Sequence, residues 1–217
     1  GSQGYALYEN VVATAVGLGY LVIADAKRGD IGSTAEAYAR AHLDVAGADA
    51  VTVNPYFGSD GLEPFFQRTR DSGKGVFVLV KTSNESSTEI QDLELAAGGS
   101  LYQRVGDLVN TWGAGSKGLR GYQSVGAVVG GTHPAQGTEL RRRMPGVPFL
   151  VPGYGAQGAQ ADDLRGLFDE NGTGAVVNSA RAILYAYKKH PGIDWRDAAR
   201  MEAQEMRAAL WRVAGRG

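Results

Sequence analysis

The densest polar cluster of the chain is Asp25-Ala26-Lys27-Arg28-Gly29-Asp30-Ile31. It follows directly on an apolar run, Tyr20 to Ala24, that reads as a strand. Side chains two residues apart on a strand share a side, so Asp25 and Lys27 project together from its C-terminal end. In parallel α/β folds that end carries the active site. Asp30 falls in the following loop, within reach of the same pocket or of a neighbouring subunit. A lysine between two carboxylates stays protonated, because opposite charges favour the charged form. Such a lysine acts as a proton donor and not as an amine nucleophile, and the carboxylates make the site hostile to a third negative charge. An isolated Asp-x-Lys is more often a solvated ion pair; its position behind a buried strand favours chemistry here.

Three further groups suit an anionic ligand. Val151-Pro152-Gly153-Tyr154-Gly155-Ala156-Gln157-Gly158 is a glycine-rich loop whose backbone N–H groups can cradle a phosphate, with Gln157 as an added donor. A plain strand-to-helix turn fits this stretch equally well. Asn178-Ser179-Ala180-Arg181 sets an arginine at a helix opening, where it suits an anion or stands as an ordinary surface charge. TIM-barrel phosphate sites often combine the loops after strands seven and eight; with two strands ahead of residue 1, these loops would be those two. Lys81-Thr82-Ser83-Asn84 ends another strand, and Ser83 offers a donor and an acceptor to a heterocycle edge. Such loops also serve merely as helix caps. His42, His133 and His190 lack metal-ligand spacing and read as structural or exposed, so no metal site is expected. Asn54-Pro55-Tyr56 after the second strand lines the pocket mouth or, more readily, forms a turn, and Tyr154 either covers the site or serves as a turn residue.

The elements that must position these groups alternate strand and helix. A helix is expected over 5–18, from Tyr5, Tyr8, Val11, Val12, Ala15 and Val16 at three- and four-residue spacing. Ser33 with Glu36 predicts a capping box opening a helix to about Val45. Strands follow at Ala50–Val53, Val76–Val80, Val125–Val129, Phe149–Val151 and Ala175–Val177. Helices are expected from Asp60 to Arg70, Leu101 to Trp112, 134 to 143, Ala161 to Asp169, through Tyr187, and from Trp195 to Val213. Residues 82–98 form a loop longer than an ordinary connection, a length often kept for function. The strands are nearly continuous apolar runs, the mark of a parallel sheet covered on both faces. Six strand-then-helix units mean α/β. A doubly wound sheet and a (β/α)8 barrel both fit that pattern.

Bulk properties agree. The 217 residues are 43% hydrophobic and 21% charged, an ordinary globular profile able to bury a sizeable core. Net charge is -1, so no strong field recruits nucleic acid or an anionic membrane. No run approaches the roughly 18 apolar residues of a membrane span, and the N-terminus carries no signal-peptide pattern. Absence of cysteine excludes disulfides and thiolate metal sites, and fits the cytoplasm.

Together the motifs resemble the orotidine 5'-phosphate decarboxylases. Asp25-Ala26-Lys27-Arg28-Gly29-Asp30-Ile31-Gly32-Ser33-Thr34 resembles their D-x-K-x-x-D-I signature, in the version of the bacterial subgroup often called type 2. The Thr-Ser-Asn, P-G-Y-G-A-Q-G and N-S-A-R-A-I segments occur in matching order, so the resemblance spans essentially the whole chain. It implies a (β/α)8 TIM barrel, free of metal and cofactor, that converts orotidine 5'-phosphate to UMP in the last step of de novo pyrimidine nucleotide synthesis. Lys27 would donate the proton to C6, Asp25 would sit against the substrate carboxylate, and Asp30 would reach across a dimer interface with Ile31 and Thr34. Ser83 would contact the pyrimidine edge. Pro152 and Gln157 would lie in a closing loop, and Gln157 and Arg181 would hold the 5'-phosphate. The resemblance further implies a cytoplasmic homodimer with shared active sites, binding neither nucleic acid nor membrane.

The family begins with two additional βα units, which supply a ribose-binding aspartate and a second network lysine. Residues 1–217 are therefore expected to form a single barrel domain, N-terminally incomplete, with six of eight βα units. Two alternatives stand beside this reading. One is a Mg2+-dependent relative of the same barrel group, such as a keto-gulonate-phosphate decarboxylase or a hexulose-phosphate synthase. The other is a truncated, catalytically silent chain that only binds phosphate ligands. The Thr-Ser-Asn and Gly-Ala-Gln-Gly loops favour the orotidine enzyme.

Overall fold

The apolar runs pair side by side in the order in which they occur. A computed structural model describes residues 1–155 and 157–216, which leaves Ala156 of the glycine loop outside the described residues. Helix α1 (Ser2–Gly17) leads into strand β1 (Ile23–Arg28). Helix α2 (Gly32–Ala39) continues as a π-helical turn over Arg40–Val45 and is followed by β2 (Ala50–Val53). Then come α3 (Gly58–Asp71), β3 (Gly75–Lys81), the short α4 (Thr88–Gln91), α5 (Leu101–Gly113) and β4 (Val125–Val129). The chain continues through α6 (Pro134–Arg143), β5 (Phe149–Val151), β6 (Ala175–Val177), the short α7 (Arg181–Leu184) and α8 (Trp195–Val213).

The six strands form one sheet in the order β1-β2-β3-β4-β5-β6, every neighbouring pair parallel. A doubly wound sheet reverses its strand order at a switch point. Sequential order instead builds a curled barrel wall, which decides between the two α/β architectures left open by periodicity.

Strand parity divides the sheet into two faces. Val51, Val53, Val76, Val78, Val125, Ala127, Phe149 and Val151 pack outward against the helices in the main core. Ala50, Phe77, Val128 and Leu150 form a second cluster on the opposite, inner face, with Ile23 and Leu79 against it. Gly126 is required there: a Cβ at this position would lie 2.6 Å from the Phe77 ring and 2.7 Å from the Pro148 carbonyl. These inner side chains are the layer on which a ligand site at the C-terminal strand ends rests.

Several boundaries differ from expectation. The first strand is Ile23–Arg28, not Tyr20–Ala24, so Asp25 and Lys27 lie within it. The Ser33–Glu36 capping box does not form; Glu36 instead accepts both Arg68 Nη atoms, at 2.7 and 2.5 Å, and Ile31 is the N-cap of α2. A two-residue-supported capping box does form at Ser100 and Gln103. Asp162–Leu167 is a 3₁₀ segment, where a full α-helix was expected, and α7 ends at Leu184, followed by a 3₁₀ turn over Ala186–Lys188. No helix is long and apolar enough to cross a membrane among the described residues.

Candidate active site

A cavity of about 670 Å3 opens on the inner face at the C-terminal ends of the strands. Ile23, Val128, Leu150 and Val176 form its apolar floor. Above them stand Asp25 and Lys27 from β1, Thr82, Ser83 and Asn84 after β3, Pro152, Gly153, Tyr154 and Gln157 after β5, and Arg181 at the start of α7. Four motifs separated by most of the chain are thereby brought to one cavity, two cations facing one carboxylate.

Asp25 and Lys27 are set by an irregularity in β1. Ala24 pairs with Val51 and Arg28 with Val53, so four steps on β1 oppose two on β2. Lys27 is the only non-glycine among the described residues with positive φ, at 49°. Bulges re-aim side chains at functional sites, and backbone strain of this kind costs about 1–3 kcal/mol, so the surroundings must hold it. Thr52 does so. It is fully buried, accepts the Lys27 N–H at 2.9 Å on Oγ1, and donates to Asp25 Oδ1 at 3.1 Å. Lys27 Nζ in turn donates to Asp25 Oδ1 at 2.5 Å. The ammonium and the carboxylate are each about half exposed, at 49% and 58%, and so remain open to a ligand.

Asp30, Ile31 and Thr34 do not line this cavity. They follow the bulge at the entry to α2, where Asp30 Oδ1 accepts the Ile31 N–H at 2.8 Å and Ile31 is 58% exposed. Gly61 lets the chain pass here: a Cβ on it would lie 2.9 Å from the Asp30 carbonyl oxygen.

Ser83 is packed closely from the opposite wall. A Cβ on Gly130 would lie 2.8 Å from the Ser83 nitrogen, and one on Gly153 would lie 3.2 Å from the Ser83 Cβ. Thr132 Oγ1 donates to the Ser83 carbonyl at 3.0 Å. In the glycine loop, Gly153, Gly155 and Gly158 take φ values of 102°, 71° and 101°, which side chains rarely adopt. The loop is closed by the Gly155 N–H to the Ala159 carbonyl at 2.9 Å. Gln157 folds back so that its Oε1 lies within 3.3 Å of the Cβ position of Gly153. Burial, followed by the charge of Glu202, raises the Tyr154 phenol, which stays neutral.

His42 is buried between Tyr8 and Arg28, and His133 sits beside Ser87 at 3.4 Å. Among the described residues no three His, Asp or Glu side chains cluster as a metal site. Sequence reasoning missed Thr52, although its signal was present: it is the single hydroxyl in the otherwise apolar run Ala50–Val53. Lys81, named at the end of its strand but given no role there, is fully buried and paired with Asp92.

Comparison with known proteins matches residues 2–191 to the family model described as "Orotidine 5'-phosphate decarboxylase / HUMPS family". The orotidine 5'-phosphate decarboxylase of Rhodopirellula baltica is 45% identical over 97% of this chain and 74% of its own length. That of Clostridium perfringens is 42% identical over the same shares, 97% and 74%. Among solved structures, Leishmania donovani OMP decarboxylase superposes with a TM-score of 0.79 at 36% identity, covering 97% of this chain and 76% of that one. Leishmania donovani UMP synthase gives 0.80 at 38% identity, covering 97% and 44%.

Proposed function

Because this chain belongs to the orotidine 5'-phosphate decarboxylase / HUMPS family, we propose that its cavity decarboxylates orotidine 5'-phosphate to UMP and CO2. The observation that carries the reading is the shared cavity: the Asp25–Lys27 pair, Ser83, Gln157 and Arg181 line one space. In the reaction the bond between C6 and the carboxylate carbon breaks, CO2 leaves, and the electron pair remains on C6. Stabilising that pair needs preorganised positive charge in a site of low dielectric. The Lys27 ammonium supplies it and then donates a proton from Nζ to C6. Asp25 faces the substrate carboxylate and holds Lys27 through their short hydrogen bond. Thr52 fixes both from below.

Ser83 meets the pyrimidine edge. Gln157 and Arg181, with Pro152 and the N–H groups of the glycine loop, take the 5'-phosphate. The phosphate is remote from the bond that breaks, so its binding energy serves to close the loop and orient the ring. Asp30, Ile31 and Thr34 act in trans, reaching the site of a second copy in a homodimer; all three lie outside their own cavity, with Ile31 and Thr34 exposed and Asp30 half-buried, which supports this. A cytoplasmic location is the corollary, read out by cell fractionation.

Lys27→Ala tests the assignment. Turnover is expected to fall by about a thousandfold or more, the scale of a lost general acid, while UMP binding stays measurable. Near-normal turnover in this variant contradicts the role of Lys27.

A further inference from the structure

The loop that carries Ser83 is closed at its base by two adjacent side-chain rungs. Lys81 Nζ donates to Asp92 Oδ1 at 2.7 Å. One residue further in on each arm, Gln91 grips Thr82 twice: Oε1 accepts the Thr82 N–H at 2.9 Å, and Nε2 donates to Thr82 Oγ1 at 2.8 Å. Thr82 Oγ1 then donates to Asn84 Oδ1 at 2.7 Å. Residues 82–91 are thus an Ω-type loop with joined ends, and its first three residues line the cavity.

Lys81 is the unusual member. It is fully buried, on a strand end beside the site, yet absent from the cavity wall. Alternation along β3 would turn it to the inner face with Phe77 and Leu79. A second bulge prevents this: Leu79 pairs with Val128 but Lys81 with Val129, two steps against one. Lys81 is thereby re-aimed outward, 5.7 Å from the Tyr102 ring centroid. A buried ammonium needs a counter-charge and full hydrogen bonding. Asp92 supplies the charge, and Gln136 Nε2 holds the same carboxylate oxygen at 3.0 Å. The buried lysine therefore fixes where residue 92 sits, and residue 92 fixes Gln91.

We propose that Gln91, seated by the Lys81–Asp92 pair, is a positioning residue that holds Ser83 at the height of the pyrimidine edge and so sets recognition of the base. The inference rests on the decarboxylase reading and deepens it. Ser83 is already held on its far side by Thr132 and the Gly130 and Gly153 backbones. Among the described residues, Gln91 provides the hydrogen bonds that reach the cavity-lining Thr82 from the returning arm of the loop. Among the described residues Lys81, Gln91 and Asp92 make no side-chain hydrogen bond to Pro152, Gln157 or Arg181, so removal of the brace is expected to affect the base and spare the phosphate.

The test is a calorimetric titration of the purified chain with UMP and, separately, with ribose 5-phosphate, which lacks the base. The unsubstituted chain is expected to prefer UMP. In Gln91→Ala, UMP affinity falls by about tenfold, the scale of one lost hydrogen bond, with ribose 5-phosphate unchanged to about twofold. Gln91→Glu keeps the acceptor for the Thr82 N–H and regains part of the loss. Full UMP affinity in Gln91→Ala, or equal loss of both ligands, overturns the positioning role alone. An unsubstituted chain with no preference for UMP overturns the decarboxylase reading, and this role with it.

Discussion

His42 illustrates how a single residue ties chemistry to stability here. Arg28 Nε donates to its Nε2 at 3.0 Å, so that nitrogen carries the lone pair. Nδ1 then bears the hydrogen and meets Tyr8 Oη at 2.8 Å. Protonating Nε2 would set two N–H groups against each other. Burial, and then the Arg28 charge, accordingly push the His42 pKa below its ordinary value. The unfolded chain takes up this proton near pH 6.5 while the folded one resists it. Stability is therefore complete above about pH 6.5 and is lost as pH falls through the lower, folded value. The melting temperature is expected to drop between about pH 7.5 and 5.5. His42→Gln, which keeps an acceptor for Arg28 but does not titrate, flattens that slope. His133, also depressed by burial and then by the Lys81 charge, retains part of it. Equal slopes in the two proteins would contradict the account. Among single residues, Asp25 and Lys27 stood out because charged groups end an apolar run, although a bulge and the positive φ of Lys27, not strand parity, set their aim. The outward turn of Lys81 was not legible, because a bulge depends on the register of the neighbouring strand.

At the scale of elements, strongly apolar runs fixed their own limits. Ala50–Val53, Val125–Val129, Phe149–Val151 and Ala175–Val177 are strands at the expected bounds, and Pro134–Arg143 and Trp195–Val213 are helices at theirs. Each has turn residues at its ends that stop it. The first strand is displaced toward its polar end because pairing with β2, not apolarity, defines it. Val22 instead feeds the bottom of the sheet: its N–H reaches Asp49 Oδ2 at 2.8 Å. Glu36 fits a capping motif in sequence, yet Arg68 on α3 competes for it from 32 residues away and wins with a bidentate ion pair. Side-chain pairs across elements of this kind leave no trace in local spacing. The same holds for the long segment 82–98. Its length marked it for function, but the Thr82–Gln91 and Lys81–Asp92 rungs that give it shape join its start to its middle across about ten residues.

For the whole molecule, sequential strand order turns six parallel strands into a barrel wall with its site on the concave side. A closed barrel of this type takes eight strands, and Leu21 and Val176, beside β1 and on β6, are 89% and 52% exposed. Periodicity could not show this curvature, since it reports each strand's burial and not the order of its neighbours. The proposed sharing of sites between two copies has a direct consequence. Lys27→Ala and Asp30→Ala should each be inactive alone, because every site loses one member. Mixed and allowed to exchange subunits, they form some dimers in which one site is whole. Recovery of about a quarter of normal activity is expected from random pairing. A mixture as inactive as its components would refute the shared site.

The central claim is tested most directly by supplying orotidine 5'-phosphate to the purified chain, with excess chelator present, and measuring both products. The account predicts UMP and CO2 in equal amounts, sustained over many turnovers. Substrate that binds and is recovered unchanged would contradict it.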